Sequence, residues 1–434
     1  MKKYKQKITY IVCLLFVVLT CPLQAAQPIL EDNKTKDNDY KPLVNLFKIR
    51  GLGLEVIKYI GCEGEEGRKA LHWSVGLGYL DCAKYVVEQG PSIKSQSKYS
   101  SVLPFCALDG YLRIVKYLLK HGADINATYN NGNTSLHFSA KKGHLDIVKY
   151  LVGQGADIHV KNKREETASQ YSARYGTFES VKYLIDNGAD IHATDKGDWT
   201  GLHYSARWGS LESVKYLVEN GANIHAKTNN ECTALHASAY SGHLESVKYL
   251  VDNRADIHAK TNNECTALHL TAQNGHLEVV KYLVEQGAEI NTKTDKGLTA
   301  LHIGAFHGHI EVVKYLVEQG TDVHAKDDNG WTALHHSARY ANFESVKYLV
   351  DNGVNIHAKQ KRGWTVLHLS AYHGHLESVK YLVDNGADIH AKDEEGKNAL
   401  YWAKKEKKQD IIDYLTKQSN ETKSHYKRKS WLSG

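Results

Sequence analysis

The spacing of apolar and polar residues along the chain is that of short amphipathic helices. These helices occur in pairs. In one representative segment, Leu268 and Ala272 mark one face of a first helix over 267–273. A second helix over 276–285 carries its apolar residues on one face, and Gly287 ends it. Two such helices cannot bury their own apolar faces, so the pattern predicts that neighbouring pairs stack on one another.

The same unit recurs every 33 residues. The tyrosine of a Val-Lys-Tyr-Leu motif, or a close variant of it, stands at Tyr117, Tyr150, Tyr183, Tyr216, Tyr249, Tyr282, Tyr315, Tyr348, Tyr381 and Tyr414. A second marker, Thr-Ala-Leu-His or a close variant, begins at Thr134, Thr167, Thr200, Thr233, Thr266, Thr299, Thr332 and Thr365. Two markers in one register indicate a tandem array.

These motifs resemble the ankyrin repeat, whose period is 33 residues and whose marker is T-P-L-H-x-A. Alanine replaces the proline in most copies, while Gly-His-Leu-Glu and Gly-Ala-Asp-Ile segments also match the family. The resemblance covers residues 43–418. It implies an all-α repeat solenoid in which each unit is a helix-turn-helix followed by a β-hairpin finger, and it implies a general role in binding other proteins.

Departures from the repeat predict the domain boundaries. Residues 1–26 have the lysine-rich start, short apolar run and small residues of a signal peptide, and we expect 27–42 to be a flexible linker. A truncated copy over 43–66 predicts an N-terminal capping half-repeat, followed by the array over 67–397. We predict a C-terminal capping repeat over 398–418 and a flexible, basic polar tail over 419–434.

Two interior copies break the pattern. Pro104 stands where the marker histidine is expected, which predicts a first helix that starts late or is kinked. Arg254 occupies the helix-ending position that glycine fills in almost every other copy. If the backbone there is left-handed, a residue with a Cβ atom costs about 1 kcal/mol relative to glycine.

The formal charge of +6 is concentrated at the two ends of the chain. Four leader lysines account for +4 of it, and the last 18 residues carry another +4, so the body is near neutral. This distribution argues against nucleic-acid or membrane binding, apart from an N-terminal anchor if the leader is retained. Five cysteines follow the leader without a CxxC pair, which argues against a zinc ribbon and a disulfide framework.

Histidine forms two columns at the repeat spacing, one at His137, His203, His236, His269, His302, His335 and His368, the other at His159, His192, His225, His258, His324, His357 and His390. Neighbouring repeats are about 8–10 Å apart, and two nitrogens on one zinc lie within about 4 Å of each other. We therefore expect no metal site and no cofactor. Instead, the resemblance implies that histidines of the first column hydrogen-bond to the backbone and tie adjacent repeats together. Incidental metal binding at His307 and His309, or at His373 and His375, is the weaker alternative.

We expect the binding surface where residues vary while the scaffold stays constant. In the family these positions are the finger tips and the exposed side of the first helix, which line the concave face. They hold Arg174, Tyr175, Trp199, Arg207, Trp208, Tyr240, Phe306, His307, Trp331, Arg339, Tyr340, Trp364, Tyr372 and His373. Trp, Tyr and Arg dominate interface hot spots. The alternative is that some of these rings pack between neighbouring fingers.

The sequence therefore predicts a monomeric, exported scaffold that binds another protein and has no catalytic activity, since no motif of an enzyme occurs. Signal-bearing arrays of this kind resemble those of host-associated bacteria, which favours an effector directed toward a host cell. A periplasmic or surface scaffold that serves the cell itself is the alternative, and an enzyme ranks third.

Overall fold

A computed structural model describes residues 80–89 and 102–432, and this part of the chain contains 21 α-helices and no β-strand. The first helices of the repeats are α2 (Val102–Asp109), α4 (Ser135–Lys142), α6 (Ala168–Arg174), α8 (Gly201–Trp208), α10 (Ala234–Ser241), α12 (Ala267–Asn274), α14 (Ala300–His307), α16 (Ala333–Arg339), α18 (Val366–His373) and α20 (Ala399–Lys405).

The second helices are α1 (Leu80–Gln89), α3 (Leu112–Lys120), α5 (Leu145–Gly153), α7 (Phe178–Asp186), α9 (Leu211–Glu219), α11 (Leu244–Asp252), α13 (Leu277–Glu285), α15 (Ile310–Glu318), α17 (Phe343–Asp351), α19 (Leu376–Asp384) and α21 (Gln409–Leu432). None of these helices is long and apolar enough to cross a bilayer.

A threonine and a glycine set the ends of most first helices. In α8, Thr200 has extended backbone, its hydroxyl accepts a hydrogen bond from the His203 N–H, and the His203 ring accepts one from the Thr200 N–H. This reciprocal capping box satisfies two donors that the first turn would otherwise leave unpaired. The helix ends at Gly209, which adopts a φ of +79°, a conformation open to glycine at little cost.

The described residues fall into two compact units that divide after Lys196. In each unit, the first helices pack on the first helices of adjacent repeats, and the second helices pack on second helices. The first unit buries Leu118, Leu136, Ile147, Leu151 and Leu184 in one core. The second unit buries one leucine per repeat at the same position of its second helices, at Leu217, Leu250, Leu283, Leu316, Leu349 and Leu382.

The predicted all-α repeat solenoid is confirmed, and its fingers are tight turns without strands among the described residues. Among the described residues the sole β-bridge is the isolated pair Thr128 and Thr134. In a typical finger, the Thr228 N–H donates to the Cys232 carbonyl at 2.9 Å. Consecutive fingers are joined by single backbone bonds, such as the Asn262 N–H to the Asn230 carbonyl at 3.1 Å.

Three local predictions have different outcomes. Arg254 has a φ of +70°, which confirms the left-handed backbone at that position. Pro104 does not delay its helix: α2 begins at Val102, and the proline lies in the first turn, where its missing N–H would have no helical acceptor.

The last helix crosses the predicted boundary between a cap ending at residue 418 and the tail that follows it. Helix α21 continues to Leu432, since the chain has no glycine or proline between Gln409 and that residue to stop it. The predicted signal peptide, linker and N-terminal half-repeat lie outside the described residues.

Candidate functional site

The first histidine column ties each repeat to the next one. The His302 Nδ1 accepts from the Thr299 N–H at 3.2 Å, and its Nε2 lies 3.0 Å from the Ala325 carbonyl and 3.1 Å from the Trp331 carbonyl. Because Nδ1 is an acceptor, the ring is neutral and Nε2 donates. Burial lowers the pKa of His269, His302 and His335 from 6.5 to about 4. The backbone role implied for this column is confirmed.

A third histidine column, which the sequence analysis did not recognise as a column, ties five repeats to the repeats that precede them. It comprises His144, His243, His276, His309 and His375, each directly before a second helix. The His309 Nε2 lies 3.0 Å from the Gln273 carbonyl, and its ring covers Gly275 so closely that a Cβ there would lie 2.5 Å from Nδ1. His309 and Gly275 both belong to segments of the Gly-His-Leu-Glu type. Their contact gives a physical reason for this motif, which the sequence alone shows only as a resemblance to the family.

The other predicted column lies in exposed turns and does not join repeats through its rings. Within residues 80–89 and 102–432, no group of three or more His, Cys, Asp or Glu side chains could hold a metal ion. His307 and His309 stack with ring centres 6.1 Å apart, and the His309 ring is already committed to the backbone. Cys106, Cys232 and Cys265 have free thiols.

The second unit brings Trp199, Arg207, Trp208 and Tyr240 together in the first of three aromatic clusters. The Trp199 and Trp208 ring centres are 6.5 Å apart, and the Arg207 guanidinium carbon lies 3.8 Å from the centre of the Tyr240 ring. Tyr204, which the sequence analysis did not select, packs between the two tryptophans and is buried. Trp208 remains 48% exposed.

A second cluster joins Phe306, Trp331, Arg339 and Tyr340. Phe306 and Tyr340 have ring centres 4.2 Å apart, and the Arg339 guanidinium carbon lies 5.3 Å from both the Trp331 and the Tyr340 ring centres. At the centre lies His336, which sequence reasoning missed; it contacts both Phe306 and Trp331. Its Nε2 is 3.0 Å from Asp327 Oδ2, and this pair fixes the orientation of the ring. Tyr340 remains exposed.

The third cluster contains Trp364 and Tyr372, with ring centres 5.4 Å apart. It also includes Trp402, which belongs to the C-terminal cap. Trp402 lies 4.7 Å from Trp364, and its indole N–H donates to Asp393 at 2.8 Å. Lys405 Nζ lies 4.6 Å from the centre of the Trp402 ring. The predicted His373 contacts Tyr372 at a ring distance of 5.0 Å, as His307 contacts Phe306 at 4.7 Å in the second cluster.

The first unit holds the two remaining predicted residues, and they differ from each other. Tyr175 is 44% exposed, with Lys141 Nζ 4.4 Å from its ring centre. Arg174 instead turns inward, where its Nη1 lies 2.6 Å from Oε1 of Glu166, a carboxylate with no exposed surface. A structural ion pair thus accounts for Arg174.

Comparison with known proteins agrees with this architecture. The family model described as ankyrin repeats (3 copies) matches overlapping stretches from residue 92 to residue 427, namely 92–162, 136–228, 168–261, 202–294, 257–327, 291–360, 319–393 and 353–427. Alpha-latrotoxin-Lh1a of Latrodectus hasselti is 35% identical over 66 residues, which are 15% of this chain and 5% of that protein. Protein phosphatase 1 regulatory subunit 27 of Homo sapiens is 38% identical over 68 residues, 15% of this chain and 44% of that protein. The matched segments therefore span less than half of either relative.

Proposed function

The chain belongs to the ankyrin-repeat family, and from that premise we propose that its second unit binds a partner protein through one surface. This surface, the first-helix face, consists of the three aromatic clusters carried by the first helices and turns from α8 to α20. The observation that supports it best is the exposure of Trp208 and Tyr340, at 48% and 42%. Large exposed rings grouped on a folded surface commonly mark an interaction site.

Packing of the repeats does not require these rings. Both Trp208 and Tyr340 occupy one position of the 33-residue unit, and the same position holds Ser241 and Asn274 in two intervening copies. Those copies form the same first helix and the same histidine ties. The scaffold thus accepts a small polar residue where the clusters present an aromatic one. We attribute the rings to recognition, because aromatic anchors hold much of the energy of protein interfaces.

We further propose that the protein is exported as a monomer and acts on a host protein, with a periplasmic or surface scaffold as the alternative. The leader over residues 1–26 and the near-neutral body support this proposal. N-terminal sequencing of the secreted form checks it: a mature start near Ala26 or Gln27 is expected, and an intact Met1 in a membrane fraction contradicts it.

The binding proposal predicts that Trp208→Ser and Tyr340→Ser each weaken partner binding at least about thirtyfold, or 2 kcal/mol. Serine is the residue that another copy already carries at this position, so the fold is preserved. A partner is first captured by cross-linking from host proteins and purified, and calorimetry on the full chain then gives the dissociation constants.

The matched control lies on a second helix. Lys248→Ala removes a cation whose Nζ is 2.9 Å from Glu245 on an exposed surface, and we expect binding to change less than about threefold. Equal losses from both faces, or a loss from the control alone, would place the partner on the second helices and refute the proposal.

A further inference from the structure

In the second unit, the layer formed by the first helices of the repeats differs in charge from the layer formed by the second helices. None of its seven first helices, α8, α10, α12, α14, α16, α18 and α20, contains an aspartate or a glutamate. They carry Arg207, Arg339, Lys404 and Lys405 as their cations. By contrast, each second helix from α9 to α19 carries two acids and one lysine. The first-helix face is therefore basic, although the repeat body as a whole is near neutral.

Cations of the first-helix face lie over aromatic rings instead of beside carboxylates. Arg207 lies over Tyr240, Arg339 beside Trp331 and Tyr340, and none of the described carboxylates lies within 4 Å of either guanidinium. Lysines of the second helices have the opposite arrangement, with the pairs Lys248–Glu245 at 2.9 Å, Lys281–Glu278 at 2.8 Å and Lys314–Glu311 at 2.9 Å.

Several acids of the neighbouring turns are committed to internal contacts and do not neutralise these guanidinium groups. Asp327 accepts from the N–H groups of Asn329 and Trp331 at 2.8 and 2.9 Å and contacts His336. Asp393 accepts in the same way within its own turn and from the Trp402 indole. Glu231 and Glu264 pair with Lys227 and Lys260, respectively.

A guanidinium held against a ring keeps its planar N–H edge available and has already lost part of its side-chain freedom. A carboxylate is the protein group that matches this edge, because it accepts two parallel hydrogen bonds from it. The rings beside each arginine offer apolar contact to the residues that flank such a carboxylate. Both features occur at Arg207 with Tyr240, and again at Arg339 with Tyr340.

We infer that the partner occupies the first-helix face with a segment in which aspartate or glutamate alternates with large apolar or aromatic side chains. This inference rests on the proposed function and specifies the chemistry of its partner. Arg207 and Arg339 bind the carboxylates, while Trp208, Phe306 and Tyr340 contact the apolar side chains.

The test uses a random 12-residue peptide display library selected on the full-length protein, followed by synthesis of the most enriched peptides. We expect enrichment of acidic and aromatic residues. In fluorescence anisotropy, replacing the acids by their amide isosteres should weaken binding at least about tenfold, since a hydrogen bond to a charged group contributes about 1.5–3 kcal/mol. The double variant R207Q/R339Q should lose a similar factor, and added salt should weaken binding.

The double variant K248Q/K281Q removes two cations from the second helices and should bind the peptides as the unaltered protein does. Enrichment of basic or uncharged peptides, or of none, overturns the inference, as does binding that R207Q/R339Q leaves unchanged. If Trp208→Ser weakens binding of the purified partner while R207Q/R339Q does not, the proposed function stands and the acidic partner is excluded. If neither variant weakens it, both proposals fail.

Discussion

Lowering the pH from 7 to 4 is expected to destabilise the repeat array steeply, with the loss concentrated between pH 6.5 and pH 4. The cause is the first histidine column, whose neutral rings are buried between repeats and bonded at both nitrogens. A proton on Nδ1 would replace an acceptor by a donor and place a charge in the core.

The direction of the effect follows from the two protonation equilibria. Burial lowers the pKa of His269, His302 and His335 from 6.5 to about 4 in the folded protein. Above pH 6.5 both states are neutral and stability is constant. Between 6.5 and 4 the unfolded chain binds protons that the folded chain does not, so each histidine removes about 1.4 kcal/mol per pH unit, or about 3 kcal/mol by pH 4.

One copy of the repeat supplies the control for this prediction. Gln170 replaces the histidine, and its Oε1 accepts from the Thr167 N–H at 2.9 Å while its Nε2 donates to the Ala193 carbonyl at 2.8 Å. Glutamine therefore makes both bonds and does not titrate. The double variant H302Q/H335Q should lose about 6 kcal/mol less than the unaltered protein between pH 6.5 and 4. Urea unfolding followed by circular dichroism at each pH measures this, and an identical pH dependence for both proteins would refute the explanation.

Arg174→Ala is expected to destabilise the first unit by about 3–5 kcal/mol, the usual cost of breaking a buried ion pair by removing one partner. The Glu166 carboxylate has no exposed surface, and the Arg174 guanidinium lies 2.6 Å from it. Although Asn162 would still donate to Glu166 at 3.0 Å, an amide does not compensate a full buried charge.

Arg164 provides the matched control, because it approaches the same carboxylate at 3.9 Å but is 64% exposed. Arg164→Ala should cost less than about 1 kcal/mol. Adding Glu166→Gln to Arg174→Ala should recover part of the loss, since it removes the unpaired charge. Denaturant unfolding of the four proteins tests the assignment, and equal losses for the two arginine variants would contradict it.

Periodicity alone predicts the helical pairs, their threonine caps and the left-handed residue at Arg254, because each depends on neighbours within one copy of the repeat. Side chains that meet across copies are harder to predict. His336, which contacts Phe306 of the preceding copy, stands at a position that holds Ile303 and Ala237 in two other copies. No marker residue distinguishes that position, and its contacts depend on how the first helices of neighbouring repeats pack side by side.

The partnership of Arg174 with Glu166 escaped prediction for a related reason. Glu166 precedes helix α6 and Arg174 lies at its end, so their separation of eight residues in the sequence says little about the distance between their side chains. Helix α21 could have been predicted, since its sequence lacks breakers; its lysine-rich composition suggested a solvated tail instead. The composition of a segment indicates whether it is exposed to water. Whether its helix continues depends instead on the absence of glycine and proline.

Hydroxyl-radical footprinting of the protein with and without its purified partner tests the binding surface most directly, because aromatic residues lie on both helix layers. If the partner binds the first-helix face, it should slow the oxidation of Trp208 and Tyr340. Tyr249 and Tyr282 on the second helices should be oxidised at the same rate with and without the partner. If instead Tyr249 and Tyr282 become protected and Trp208 and Tyr340 remain as reactive as in the unbound protein, the partner binds the second helices and the account given for the first-helix face is contradicted.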